Sequence, residues 1–331
     1  MTLAATEGAL VDAHDAVLLD LDGVVYRSHA AVPGAVEALT SVGRTRLAYL
    51  TNNANRRPET VADHLQELGL PASVEDVITS AQAIAGVMAR DLPSGSAVLA
   101  VGGDGLHTAL TERGLVPVTD RHHPGVAAVV QGYAPHLGWK DLAEAAYAIQ
   151  SGLPHYASNS DLTIPTSDGI APGNGALVHA VQLTTGVEPV IAGKPFAPLF
   201  EETMSRLDSR APLMVGDRLD TDIRGARSAG ILSLCVLTGV NTLADVIAAD
   251  PRDRPDFIGA DLSALHETHA PVVVDQHRVH CAEAVAEVVD GHIRVTSRGD
   301  TTSTLRAVVA LGWAWREESG RGVTLDETID A

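Results

Sequence analysis

The chain alternates between short apolar runs and longer stretches in which apolar residues recur every three or four positions. Residues 16–19, 47–50, 98–101, 126–130, 190–192 and 213–215 are apolar throughout, and 231–237 is interrupted only by Ser233. Strands buried on both faces of a parallel sheet read this way, because neither face meets water. Helical patterns lie between them. Arg57-Pro58-Glu59 opens one whose Val61, Leu65 and Leu68 share a face, closed by Gly69, and Thr79-x-x-Gln82 forms a capping box ahead of residues 83–88. Residues 106–113, 139–150, 176–183, 200–207 and 222–229 also read as helices, whereas 163–175 is rich in Pro, Gly, Ser and Asp and reads as a loop. Strands alternating with helices predict an α/β fold on a parallel sheet. After about residue 255 the pattern changes: runs at 272–274, 284–289 and 293–296, with the turn Asp290-Gly291, predict a small hairpin-bearing unit ending in a helix over 301–315.

What stands at the ends of the apolar runs carries the chemistry. The first run meets Asp20-Leu21-Asp22-Gly23, two carboxylates two residues apart. Open α/β sheets bind ligands outside the carboxyl ends of their strands. Carboxylates this close repel, and a bound cation or a retained proton relieves them. A strand ending in a solvated Asp-Gly turn accounts for the stretch equally well on its own, so the other strand ends decide. They are Thr51-Asn52-Asn53, Gly193-Lys194-Pro195, and Gly216-Asp217 with Asp222 five residues on. Carboxylate oxygens suit Mg²⁺, while a hydroxyl, backbone N–H groups and an ammonium suit phosphate oxygens. Phosphoryl transfer needs mainly an in-line nucleophile, charge neutralisation and a proton for the leaving oxygen, and an Asp carboxylate can be that nucleophile.

Composition narrows the partners. The 331 residues carry 42 acidic against 23 basic side chains, a net charge of −19, which opposes nucleic acid and anionic membranes. The two cysteines, Cys235 and Cys281, suggest no disulfide framework, and Cys235 reads as a buried small hydrophobe within 231–237. Glu7, Asp12 and Asp15 precede the first apolar run, and no run reaches 18 residues, so neither a signal peptide nor a membrane span is expected and the cytoplasm is the expected location.

Taken together, Asp20-x-Asp22-Gly23, Thr51-Asn52-Asn53, Gly193-Lys194-Pro195 and Gly216-Asp217-Arg218-x-Asp220-Thr221-Asp222 resemble, in order and flanks, the motifs of the haloacid dehalogenase superfamily of phosphatases. The likeness is to the subgroup with a type IIA cap, which includes phosphoglycolate, pyridoxal phosphate, 4-nitrophenyl phosphate and glycerol 3-phosphate phosphatases. It implies a Rossmann-like parallel-sheet core (1–81 and 189–258) and an inserted α/β cap domain (82–188), while the small α+β C-terminal accessory unit (259–331) lies beyond the likeness. By the resemblance, Asp20 would attack phosphorus and ligate Mg²⁺. Asp22 would protonate the leaving oxygen, later deprotonate water, and offer its backbone carbonyl to the metal. Asp217 would be the third metal ligand, with Asp222 supporting it. Thr51 and the backbone at Asn52 and Asn53 would hold the phosphoryl oxygens, and Lys194 would neutralise their charge.

The 142 residues between Thr51 and Lys194 far exceed one crossover helix, which leaves room for the cap. By the resemblance the segment from Ser158-Asn159-Ser160-Asp161 to Gly175 faces the substrate, so Asn159, Asp161 and Ile164 are the candidate specificity residues. Ile164 stands where pyridoxal phosphatases of this type carry a histidine, and an apolar residue there is more like the glycerol phosphate and phosphoglycolate members. Ordinary cap packing explains Ile164 equally well. The expected reaction is Mg²⁺-dependent hydrolysis of a small phosphorylated metabolite through an aspartyl-phosphate, with glycerol 3-phosphate first and phosphoglycolate next. A sensor that binds such a metabolite without turning it over is the competing class, and a homodimer through the cap or C-terminal unit is the assembly considered. Gly102-Gly103-Asp104-Gly105 imitates a dinucleotide fingerprint but lacks its spacing and its later acidic residue, and the histidines near His277-x-x-His280-Cys281 read as a solvated loop rather than a zinc site.

Overall fold

The computed structural model describes residues 2–166 and 168–326. They form two compact units, one of Met1–Tyr49, Glu67–Pro71 and Leu207–Ala331, the other of Leu50–Gln66 and Ala72–Arg206.

In the first unit the strands run in the order Phe257–Gly259, Leu232–Val236, Pro212–Gly216, Ala16–Asp20, then residues 46–49. Leu19 lies opposite Val215, Gly216 opposite Cys235 and Val236 opposite Gly259, all in parallel pairs. Ala16, Val17, Leu18 and Leu19 are fully buried, as an unbroken apolar run requires. The α/β parallel-sheet architecture read from the sequence is therefore the one observed.

The C-terminal segment folds as an antiparallel meander, Val272–Asp275, Arg278–Cys281, Ala284–Val289 and His292–Ser297, covered by the helix Thr301–Ser319. Val279, Ala286, Ile293, Val308 and Trp313 share one apolar cluster with Ile223, Cys235, Val246 and Ile258 of the parallel-sheet side. The Trp313 indole donates to the Val246 carbonyl at 2.8 Å, and the Arg254 guanidinium lies 4.9 Å over its ring. Arg306, wholly buried, donates to the carbonyls of Ala4 (2.5 Å) and Ala270 (2.8 Å), tying the N-terminal segment to the same helix. The histidine-rich stretch is not a solvated loop. His280 and Cys281 lie in a strand whose residues alternate outward and inward, and His269 is fully buried with Nε2 2.9 Å from the Ala264 carbonyl.

The second unit holds a five-stranded parallel sheet in the order Val190–Ile191, His155–Ala157, Val126–Gln131, Ala97–Val101, Val116–Val118. Helix Trp139–Gln150 packs Ala145, Ala146 and Ile149 against Leu99, Val101 and Val129. The capping box forms as read: Gln82 N donates to Thr79 Oγ1 (3.2 Å) and Thr79 N to Gln82 Oε1 (3.1 Å), opening the helix Ser80–Asp91. Thr163–Thr166 and Gly169–Pro172, in a stretch read as loop, pair as antiparallel strands in which Thr163 faces Pro172 and Ile164 faces Ala171. The glycine run at 102–105 also has a structural use. A Cβ at Gly103 would sit 2.0 Å from Asn55 Oδ1, and one at Gly105 2.5 Å from the Arg56 carbonyl, so these glycines let the 54–56 turn lie against the helix Asp104–Glu112. Among the described residues, no helix is long and apolar enough to cross a membrane.

Candidate active site

The first group of site residues belongs to the first unit. Strands Ala16–Asp20 and Pro212–Gly216 are parallel neighbours in register, so Asp20 and Asp217 emerge side by side at their carboxyl ends. Beyond Asp217 the chain makes one wide turn, in which Ile223 N donates to the Arg218 carbonyl five residues back (3.2 Å), and this turn carries Asp222. Such wide turns recur at functional sites. One carboxylate oxygen each from Asp20, Asp217 and Asp222 lies within 4.8 Å of the others; Asp217 and Asp222 are buried and Asp20 is half-buried. Three carboxylates turned to one point in a poorly solvated setting repel strongly, and a hard divalent cation with oxygen ligands offsets that repulsion. The donor set therefore fits Mg²⁺ or Ca²⁺. Asp222, expected to support Asp217, thus brings an oxygen to the same group.

Close backbone packing holds these acids. Val240 N donates to Asp217 Oδ2 at 2.6 Å, and Arg218 N to Asp222 Oδ2 at 3.1 Å. Thr238 Oγ1 donates to the Gly23 carbonyl (2.6 Å), and Leu219 N to Asn241 Oδ1 (2.8 Å). Gly23 adopts φ +92°, and a Cβ there would lie 2.7 Å from Asp217 Oδ2. A Cβ at Gly239 would lie only 1.8 Å from the same oxygen, and one at Gly216 2.2 Å from the Asp222 Cβ. Asp22 is exposed in the turn that follows, where Gly23 N donates to the Tyr26 carbonyl (2.8 Å). Cys235, opposite Gly216 and fully buried, is the small apolar filler expected. Burial pushes its thiol well above the ordinary range, and Asp217 and Asp222 add to that, so it stays protonated.

The second group belongs to the second unit. Thr51 Oγ1 accepts from Asn53 N (3.0 Å), and Asn53 Oδ1 from Asn55 N (2.9 Å), two side-chain turns that bend the chain sharply after the strand. Asn52 Oδ1 accepts from Lys194 N (2.8 Å), and its Nδ2 donates to the Lys194 carbonyl and to Asp161 Oδ1, both at 3.1 Å. The Asn52 carbonyl accepts from Ser80 Oγ and Asn159 Nδ2, each at 2.6 Å. Asn159 is in turn held through its carbonyl by Asn174 Nδ2 (2.8 Å), and Asp161 N donates to Asn159 Oδ1 (3.2 Å). Thr51, Lys194, Asn159 and Ser80 are all buried. Thr51, Asn52, Asn53, Lys194, Asn159 and Asp161 are thus assembled in one neighbourhood. Ile164 stands instead in the strand Thr163–Thr166, partly exposed.

Sequence reasoning did not single out Ser80, Asn174 or the 238–241 turn. Thr238-Gly239 was a visible signal, since it closes the run 231–237 with a hydroxyl and a glycine just as the other strand ends close with polar groups. Ser80 and Asn174 carried none, for each is an ordinary polar residue near a helix start.

Comparison with known proteins finds family models, relatives and a solved structure that resemble this chain. Residues 17–116 match the family model described as haloacid dehalogenase-like hydrolase, and residues 191–265 one described as HAD-hydrolase-like. The chain is 43% identical over 317 residues to the D-glycerol 3-phosphate phosphatase of Mycobacterium tuberculosis, covering 93% of this chain and 88% of that one. It is 38% identical over 238 residues to the acid sugar phosphatase of Staphylococcus aureus, covering 70% and 90%. Its fold is similar to the crystal structure of the M. tuberculosis glycerol phosphate phosphatase in complex with magnesium, with a TM-score of 0.84 at 42% identity, covering 96% of this chain and 94% of that one.

Proposed function

Because the chain belongs to the haloacid dehalogenase-like hydrolases, we propose that it is a Mg²⁺-dependent phosphatase that hydrolyses glycerol 3-phosphate to glycerol and phosphate. The observation that carries the activity is the convergence of Asp20, Asp217 and Asp222 at adjacent strand ends. The choice of substrate is supported by the 43% identity to the D-glycerol 3-phosphate phosphatase across nearly the whole chain.

The residues divide the work as follows. Asp20, Asp217 and Asp222, with the backbone carbonyl of Asp22, would hold the cation, which when bound neutralises phosphoryl charge. A carboxylate oxygen of Asp20 forms the new bond to phosphorus as the P–O bond to glycerol breaks. Asp22 gives its proton to the departing alkoxide, then takes one from water, which attacks the aspartyl-phosphate and restores the Asp20 carboxylate. Asp22 is the carboxyl assigned to proton transfer because it follows Asp20 by two residues at the same strand end and stands outside the three-acid group. The Thr51 hydroxyl, the N–H groups of the 52–53 turn and the Lys194 ammonium hold the non-bridging oxygens. Asn159, Asp161 and Ile164 read the glycerol end. We place the reaction in the cytoplasm. The assembly we favour is a homodimer through the second unit, where Trp139 (78% exposed) and Leu183 (74%) stand in water.

The deciding experiment is phosphate release, with Mg²⁺, from a panel that contains glycerol 3-phosphate, phosphoglycolate, 4-nitrophenyl phosphate and sugar phosphates. Glycerol 3-phosphate should give the highest kcat/KM, and Asp20→Asn should remove turnover while the far-ultraviolet dichroism stays unchanged. Substantial turnover by Asp20→Asn overturns the mechanism. Preference for another ester overturns the substrate, and binding without turnover by the wild-type chain favours the sensor.

A further inference from the structure

We propose that Asn52 is the positioning residue of Lys194: its side-chain amide clamps the lysine's backbone and so fixes where the ammonium meets the phosphoryl group. The inference rests on reading Lys194 as the cation that neutralises that group. Its basis is the two-point contact already described, with Oδ1 accepting from Lys194 N at 2.8 Å and Nδ2 donating to the Lys194 carbonyl at 3.1 Å. An amide that takes both backbone groups of one residue imitates one rung of a sheet ladder and leaves that residue no freedom to rotate. The amide orientation follows from its surroundings. Nδ2 also donates to Asp161 Oδ1, so the reverse orientation would set an oxygen against two oxygens.

The clamp is itself held. The Asn52 carbonyl accepts from both Ser80 and Asn159 at 2.6 Å, so the residue that positions Lys194 is fixed to the start of the helix Ser80–Asp91 and to the segment that reads the leaving group. Gly193 completes the arrangement: a Cβ there would lie 2.7 Å from Asn52 Oδ1, and the clamp could not close. The lysine stem has four rotatable bonds and considerable rotamer freedom, so anchoring its Cα removes one source of misplacement. A misplacement of about 1 Å in a group that orients substrate can cost on the order of 100-fold in rate.

Few other side chains serve. Leu matches the size of Asn but loses all three contacts. Asp keeps an acceptor for Lys194 N but loses the donor and faces the Lys194 carbonyl and Asp161 with negative charge.

The test is a double-mutant cycle on the full chain, read by calorimetric binding of inorganic phosphate and by kcat and KM for glycerol 3-phosphate. Lys194→Ala and Asn52→Leu should each weaken phosphate binding roughly 10-fold or more, and raise KM more than they lower kcat. In the Lys194→Ala background, Asn52→Leu should add less than about a twofold loss, since a residue acting through Lys194 has nothing left to position. Asn52→Ala also removes all three contacts without adding charge and should show the same pattern as Asn52→Leu, which keeps the cycle readable if Asn52→Leu fails to fold. Equal losses from the Asn52 variants with and without Lys194 overturn the clamp, because Asn52 then acts elsewhere. Unchanged phosphate binding in Lys194→Ala overturns the reading of Lys194, and the clamp with it.

Discussion

Gly239→Ala is the sharpest probe of the three-acid centre, because the substitution adds one methyl group and touches none of the acids chemically. That methyl carbon would lie 1.8 Å from Asp217 Oδ2, 2.3 Å from Cγ and 2.6 Å from Cβ. Ordinary carbon–oxygen contacts are near ~3.4 Å, so the carboxylate or the turn must shift by about 1.5 Å. Either shift breaks the 2.6 Å hydrogen bond from Val240 N to Asp217. A bond of this kind to a charged group contributes ~1.5–3 kcal/mol, and overpacking costs ~1–3 kcal/mol. Relief of the crowding around the acids offsets part of this, so the urea unfolding free energy without metal should fall by about 2 kcal/mol. Mg²⁺ affinity should fall ~10–100-fold, the usual loss when the support of a metal ligand is disturbed. Calorimetric titration of the full chain with Mg²⁺, beside urea unfolding in chelator, measures the two effects separately. Gly8→Ala is the control, since nothing lies within 4 Å of its added carbon. Mg²⁺ affinity within twofold of wild type in Gly239→Ala would refute the assignment of Asp217 as a metal ligand held by this turn.

Three further expectations concern the metal, the apolar core and the histidines. Exhaustive chelation should abolish phosphate release and Mg²⁺ should restore it, whereas activity that survives chelation removes the cation from the mechanism. Trp313→Ala should destabilise the first unit by ~3–5 kcal/mol in urea unfolding, because the indole is buried between Val246 and Arg254, and a loss under 1 kcal/mol contradicts the shared core. Burial pushes His155 and His269 down to about 4 from an ordinary value of 6.5. The unfolded chain therefore binds these protons first, so stability is full above about pH 6.5 and falls as pH drops toward 4, by on the order of 3 kcal/mol per histidine. His269→Gln should flatten that slope between pH 6.5 and 4.5, and an unchanged slope excludes His269 as a contributor.

The legible part of this protein lies where a residue's own chemistry announces its environment. Strand 16–20 is apolar because both faces are buried, and Asp20 ends it because a charge cannot continue into that interior. Lys194 and Asp217 also end apolar runs although both are buried, so strand ends and charged groups could be read together. The strand pair 163–166 and 169–172 was hidden because Pro165 and Pro172 are residues that sheets tolerate only at edges, and a two-stranded ribbon is all edge. Three of the C-terminal strands were visible as apolar runs, while Arg278–Cys281 was hidden by its outward-facing Arg278 and His280, and which surface their apolar side covers is a tertiary fact, set by contacts such as Trp313 with Val246.

The supports of the site are illegible for a different reason. Val240 holds Asp217 through a backbone N–H, which nearly every residue type owns, so no side chain records the contact. Only Gly239 leaves a trace, and a glycine after a strand also reads as an ordinary turn. Asn52 holds Lys194 across 142 residues of sequence through an amide that would serve equally well in a turn. Gly103 shows the converse: it belongs to a glycine run that imitates a nucleotide-binding loop, and its missing Cβ makes room for Asn55. Groups that touch substrate or metal must carry particular chemistry and so mark the sequence, whereas the groups that place them need only the right shape at the right distance. That asymmetry is why Gly239→Ala and Asn52→Leu, rather than further substitutions of the acids, are the variants that test how this centre is built.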